Sequence, residues 1–216
     1  MDQPFSLEVE SLASGLSETE LVIPYRFELG GFLGVTGADA AVVQEAFPRL
    51  VAAITAGEAE MTAETAAIGA DHARAFDLLS TDLSMVLSHV DPALVVFDDT
   101  VPYDEAIWLH EAVAEDLGLG LGDVLVAGFV DSKVEELRVA AIYSDSFFFG
   151  DHVIDNMLHE RHWPQDTSDF LSLSPAGATT RAEMKSAVEA ALANGYPELV
   201  VEPSPELPAG LIPGCS

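Results

Sequence analysis

Residues 93–130, ALVVFDDTVPYDEAIWLHEAVAEDLGLGLGDVLVAGFV, decide the fold that this sequence predicts. Ala93–Phe97 is a continuous apolar run after Asp91-Pro92, the pattern of a strand covered on both faces. Asp104–Leu117 reads as a helix with Ala106, His110, Val113 and Leu117 on one stripe. Val124–Val130 is a second apolar strand. Strand, helix and strand make a central βαβ unit, which implies a parallel pair in the sheet.

Outward from this unit, Phe5, Leu7 and Val9 alternate with polar residues, and Leu21, Ile23, Tyr25, Phe27 and Leu29 alternate more strongly. Joined through Gly15, the two runs predict an N-terminal antiparallel strand pair. Pro24 has no N–H to give a ladder and assigns its strand to an edge or a bulge. Gly30, Gly31 and Gly34 are expected to break it. Thr36–Asp39 resembles a helix start, and Val43, Phe47, Leu50 and Ile54 follow at helical spacing, with a kink or two abutting helices at Pro48. Residues 58–70 are Ala-rich and read as helix. Phe76, Leu79, Leu83, Val86 and Val90 line one face of a further helix. Leu137–Tyr143 gives another strand, Thr180–Glu183 a capping box that opens a helix, and Leu199–Val201 a last strand. The expected class is therefore α+β: a mixed sheet with the N-terminal pair, the central βαβ unit, and the helices of residues 38–90 packed on one face. Residues 1–202 form one domain, and the Pro- and Gly-rich residues 203–216 an extended tail.

Charge narrows the partners. In 216 residues there are 37 acids against 8 Lys and Arg, a net charge of −29, while 49 % of residues are hydrophobic. A folded protein is expected, since disorder combines high charge with low hydrophobicity. Phosphate backbones and anionic lipid repel such a surface, so no direct nucleic-acid binding and no membrane contact are expected. A basic protein partner or a high-salt host both fit. The one cysteine, Cys215, forms no intrachain disulfide, and no basic, apolar leader opens the sequence; both predict a soluble cytoplasmic protein.

Two sets of residues carry candidate chemistry. With 151–162 read as one helix, turning about 100° per residue, His152, Asp155, His159 and His162 fall on a polar face opposite Val153, Ile154, Met157 and Leu158. Imidazoles with a carboxylate suit Zn²⁺, Mn²⁺ or Fe²⁺, which would make the chain a transition-metal-dependent hydrolase. Solvated surface histidines, or a pH-responsive patch, are the competing readings. The second set is Asp98, Asp99, Asp131 and Asp145, which follow predicted strands where ligands of parallel sheets bind; the same residues are ordinary turn formers. His110 lacks the second histidine of a zinc-protease helix, Ala114 standing in its place, and His72 and His89 read as structural. There is no P-loop, no G-x-G-x-x-G and no G-x-S-x-G. Trp108 projects from the polar side of its predicted helix and offers an anchor for a partner. The leading reading is a non-catalytic acidic binding or accessory protein that engages a protein partner. The metal hydrolase is the alternative.

Overall fold

The computed structural model describes residues 5–88, 95–144, 150–163 and 167–202. In chain order the elements are β1 (Phe5–Ser6), α1 (Leu7–Ser14), β2 (Thr19–Thr36), α2 (Ala40–Ala56), α3 (Glu58–Ala67), β3 (His72–Thr81), α4 (Leu83–Leu87) and β4 (Val95–Phe97). A 3₁₀ turn (Tyr103–Glu105) precedes β5 (Ala106–His110), α5 (Glu111–Leu117), β6 (Val124–Phe129), β7 (Val134–Tyr143) and β8 (His152–Asp155). They are followed by α6 (Asn156–His162), β9 (Thr167–Ser168), β10 (Phe170–Pro175) and α7 (Arg181–Leu192). The class is α+β with a mixed sheet, as the sequence predicts. Contacts gather the chain into two compact units: residues 1–26 with 165–216, and residues 27–164.

In the first unit the expected N-terminal strand pair is replaced. After two residues the chain turns helical, because Val9 and Ala13, four apart, are the buried positions while Leu7 and Leu12 are exposed. The short β1 pairs with β9, and the first part of β2 pairs with β10, antiparallel, with Pro24 opposite Leu171. Tyr25 stacks on Phe170 at 4.6 Å, and burial pushes its hydroxyl pKa up to about 12. Helix α7 opens on the predicted capping box of Thr180 and Glu183 and buries Met184, Val188 and Leu192 against Val9, Leu171 and Leu173. Leu199 and Val201 pack there without forming a strand.

The second unit is built on a ring of strands. Pairing runs β2-β3-β8-β5-β7, and β6 pairs with both β7 and β2, so the ring closes. Closure leaves no open edge among those six strands. β3 with β8 and β5 with β7 are parallel; β5 with β8, β6 with β7 and β6 with β2 are antiparallel. Alternate residues point inward: Leu125, Ala127 and Phe129 from β6, Ile107 and Leu109 from β5, Leu137 and Val139 from β7, with Phe32, Phe76, Leu78 and Ile154. The outer face of β2 and β6, at Leu33, Val35 and Val126, is covered by Val43, Phe47 and Leu50 of α2 and Met61 of α3.

This arrangement corrects the central βαβ unit. The two predicted strands, 95–97 and 124–129, do not pair with each other; both lie antiparallel on β7. β4 is not covered on both faces, since Val96 is 63 % exposed. Between them, residues 106–110 form a strand and only 111–117 are helical. Residues 40–56 and 58–67 are the predicted helices; the first is capped by Asp39 rather than Thr36, and the second follows Gly57. The third, over 76–90, is instead strand β3 and the single turn of α4; residues 89–94 lie outside the described residues.

Glycine lets two layers meet. β2 runs on through Gly34, where a Cβ would lie 2.6 Å from Phe76 Cε2 inside the ring. On the other face the Phe47 ring rests where a Cβ of Gly128 would stand. Gly128→Ala is expected to lift Phe47 and lower stability by about 1–3 kcal/mol, the usual range for overpacking. Chemical denaturation checks this; an unchanged midpoint would mean that α2 does not rest on β6 as described.

Candidate functional site

The predicted histidine helix begins five residues later than the spacing suggests. Residues 152–155 are strand β8, and α6 starts at Asn156. The junction is Asp155, buried to 5 % exposure. Its Oδ1 accepts from the Met157 amide at 2.8 Å, which caps α6, and its Oδ2 accepts from the Leu83 amide at 3.0 Å, the first residue of α4. Burial raises the Asp155 pKa, and the Asp82 and Asp104 carboxylates add to the rise, against the two amides. One carboxylate therefore holds the starts of two helices.

Helix α6 is turned from the expectation: Leu158 stays inside, but the histidines join it and Met157 does not. Leu158, His159 and His162 are buried, and Met157, predicted for the inner side, is 53 % exposed. Its imidazoles are packed as rings. His162 lies parallel to Phe129 at 3.7 Å, and His159 parallel to Trp163 at 4.7 Å. His159 Nε2 is 3.1 Å from Glu28 Oε1. His162 Nδ1 is 3.0 Å from Asp131 Oδ1, in the turn between β6 and β7. Its Nε2 is 3.1 Å from Glu135 Oε1 on β7, a contact at ion-pair distance but off the axis of an N–H bond. Next to it, the half-exposed Arg161 spans Glu135 at 3.4 Å and Asp104, whose backbone oxygen it also reaches. Asp131 also meets Lys133 Nζ at 2.9 Å. Burial works to raise the Asp131 pKa, but the bonds from Lys133 and His162 outweigh it, and the carboxyl stays below its ordinary range.

His152 is elsewhere, inside the ring of strands, 4.1 Å from the Phe76 ring and 6.1 Å from Phe32. Its nitrogens make no well-formed hydrogen bond, the backbone of Asp77 being the polar group that approaches them. Burial lowers its pKa to about 4, against the opposing pull of the Asp151 and Asp77 carboxylates, so the ring is neutral at neutral pH.

These positions break up the predicted ligand set. His152 points into the barrel, both Asp155 oxygens are held by amides, and the carboxylates beside His162 sit on opposite ring nitrogens. Among the described residues, no three His, Cys, Asp or Glu side chains converge where an ion could be held. His152, Asp155, His159 and His162 are all buried, and the four side chains are not brought together on one face.

The strand-end aspartates are dispersed as well. Asp98 accepts from the Thr100 hydroxyl at 2.7 Å and amide at 3.0 Å, which hold its pKa down, and Asp99 is exposed beside it. Asp98 lies against Ala140 of β7, and Asp131 lies beyond the start of that strand at Val134, about 20 Å away at strand rise. Asp145 falls outside the described residues. Trp108, expected on a helix surface, is fully buried in β5 with its ring 5.7 Å from Phe97, and presents nothing to a partner. His110 caps α5, its Nδ1 accepting from the Ala112 amide at 3.2 Å.

A closed mixed barrel, in a chain that also carries a smaller α+β unit, defines the class of structure. No family model matches the sequence, and no curated protein matches it. Solved structures do share the fold. One is the periplasmic region of MacB from Actinobacillus actinomycetemcomitans: TM-score 0.56, 10 % identity, covering 88 % of this chain and 73 % of that one. Another is the extracellular domain of the noncanonic ABC-type transporter YknZ from Gram-positive bacteria: TM-score 0.50, 11 % identity, covering 85 % and 78 %. At these identities the likeness is one of fold. It overturns the expectations of a cytoplasmic protein and of one remote from membranes, because the proteins that share the fold carry it in periplasmic and extracellular regions. The composition misled here: a single cysteine and a high negative charge are as compatible with an outer compartment as with the cytosol. Among the described residues, no helix is long and apolar enough to cross a membrane.

Proposed function

We propose that this chain is a non-catalytic binding domain that works outside the cytoplasm, close to a membrane, and engages a protein partner bearing basic groups. The observation that carries the reading is the shared fold with a periplasmic region and a transporter's extracellular domain. Charge supports the choice of partner. Arg49, Arg74, Lys133, Arg161 and Lys185 are each spent on a carboxylate of this same chain. What is presented outward is then mainly carboxylate, suited to fast, salt-sensitive association with a cationic surface. The hydrolase alternative finds no support in the positions of its histidines.

Protease added to intact cells of the source organism, with outer layers permeabilised, tests the placement. Digestion of the native protein before lysis is the expected result, together with a crosslinked partner lost as salt is raised. Protection until the cells are lysed would contradict the reading.

A further inference from the structure

The histidine that the barrel core and helix capping leave without a task is His162. Its side chain has no exposure, yet both ring nitrogens meet carboxylates, Asp131 at 3.0 Å and Glu135 at 3.1 Å. Both acids belong to the β6–β7 hairpin, so the ring joins the end of α6 to that hairpin. A neutral imidazole has one N–H and serves one acceptor; the imidazolium has two. The Glu135 contact is off the N–H axis, so it gains a charge attraction when the ring carries its second proton. Around the ring the charges are few. Asp131, Glu135 and Asp104 are the acids, Lys133 and Arg161 the permanent cations, and His159 on the same helix is engaged with Glu28. A proton on His162 brings those acids and bases into balance. Its loss leaves a carboxylate facing a lone pair over a buried ring.

We infer that His162 is a proton-operated clip, which fastens α6 to the β6–β7 hairpin when charged and releases the Glu135 side of that hairpin when neutral. The hairpin is suited to respond. Its turn residue Ser132 is held at φ 67°, a left-handed conformation uncommon for a residue with a side chain. Besides the Arg161 contact to Glu135, an uncharged attachment holds the hairpin on the α2 side: Gln44 donates to Ser132 O at 3.0 Å and accepts from the Val134 amide at 3.1 Å. Proton loss therefore loosens one side while the Gln44 side holds. Val130, at the same turn, is 55 % exposed, so the segment that loosens is surface the protein shows to its surroundings.

Amide exchange of residues 130–136, followed beside the ¹⁵N signals of the His162 ring across about pH 5 to 8, tests the clip. Corrected for intrinsic rates, hairpin exchange is expected to rise about tenfold as Nε2 loses its proton, the scale of one hydrogen bond to a charged group. Glu135→Gln, at a partly exposed site, keeps the fold. Its amide can accept from one ring form and donate to the other, so the pH dependence should flatten while Gln44 still holds the turn. Hairpin exchange that does not follow the ring, or a ring with a single N–H throughout, would overturn the inference. So would a Glu135→Gln protein with an unchanged pH profile.

Discussion

Asp155→Ala is expected to lower the unfolding free energy by about 3 kcal/mol, the largest loss from any single exchange considered. Two amides, those of Leu83 and Met157, lose their acceptor together. Hydrogen bonds to charged groups contribute about 1.5–3 kcal/mol each. The lower part of the combined range applies, because burial raises the Asp155 pKa and so opposes keeping it ionised. Asp155→Asn separates the two bonds: a single amide oxygen can serve one helix start, and its NH₂ group then faces the other amide. Its stability should fall by a similar amount rather than recover. Urea titration at neutral pH reads both. A loss under 1 kcal/mol in both variants would mean that Asp155 does not hold α4 and α6 together.

The second large effect depends on pH. His152 has a folded-state pKa of about 4 against an ordinary 6.5. The folded chain thus binds this proton less readily than the unfolded one. Stability from the neutral ring is complete above about 6.5, declines as pH falls through that value, and is gone below about 4. At about 1.4 kcal/mol for each pH unit, the span amounts to about 3 kcal/mol. Acid also relieves repulsion among the 37 carboxylates, so the quantity to read is the difference between wild type and His152→Leu. Leucine fills much the same space between Phe76 and Phe32 and removes two nitrogens without well-formed bonds. It should match or exceed wild-type stability at pH 7. Its advantage should then grow by about 3 kcal/mol by pH 4. Parallel curves for the two proteins would place His152 in solvent instead of the barrel.

What the sequence made legible, and what it hid, follows one physical feature. β6, β7, α2, α3 and the capping box of α7 were readable from local composition, an apolar run, helical spacing or a cap, each within its own segment. Three errors have a common cause. At Asp82, His110 and Asp155 a strand passes into a short helix with no loop between, and that residue caps the helix with its own side chain. Apolar residues on both sides of such a junction fall by coincidence at helical spacing, as Phe76, Leu79, Leu83 and Val86 do. Each strand–helix pair then reads as one long helix, and every residue before the cap is assigned to the wrong face. This is how Trp108 came to be expected outside, and His152 on a surface shared with His162. The caps were the available signal: an Asp two or three residues ahead of an amide it can bond. Nothing local marks Glu28, Asp131 and Glu135 as partners of α6, since those meetings depend on ring closure by β6 across distant sequence.

Histidine footprinting with diethyl pyrocarbonate, read by mass spectrometry on the folded protein at neutral pH, tests most directly whether the clustered histidines serve the interior. His72, exposed at the start of β3, should react readily. His152, His159 and His162, each 2 % exposed, should stay unmodified until denaturant unfolds the chain. Modification of those three in the folded protein, at the rate of His72, would contradict the buried arrangement and return them to the surface as available ligands.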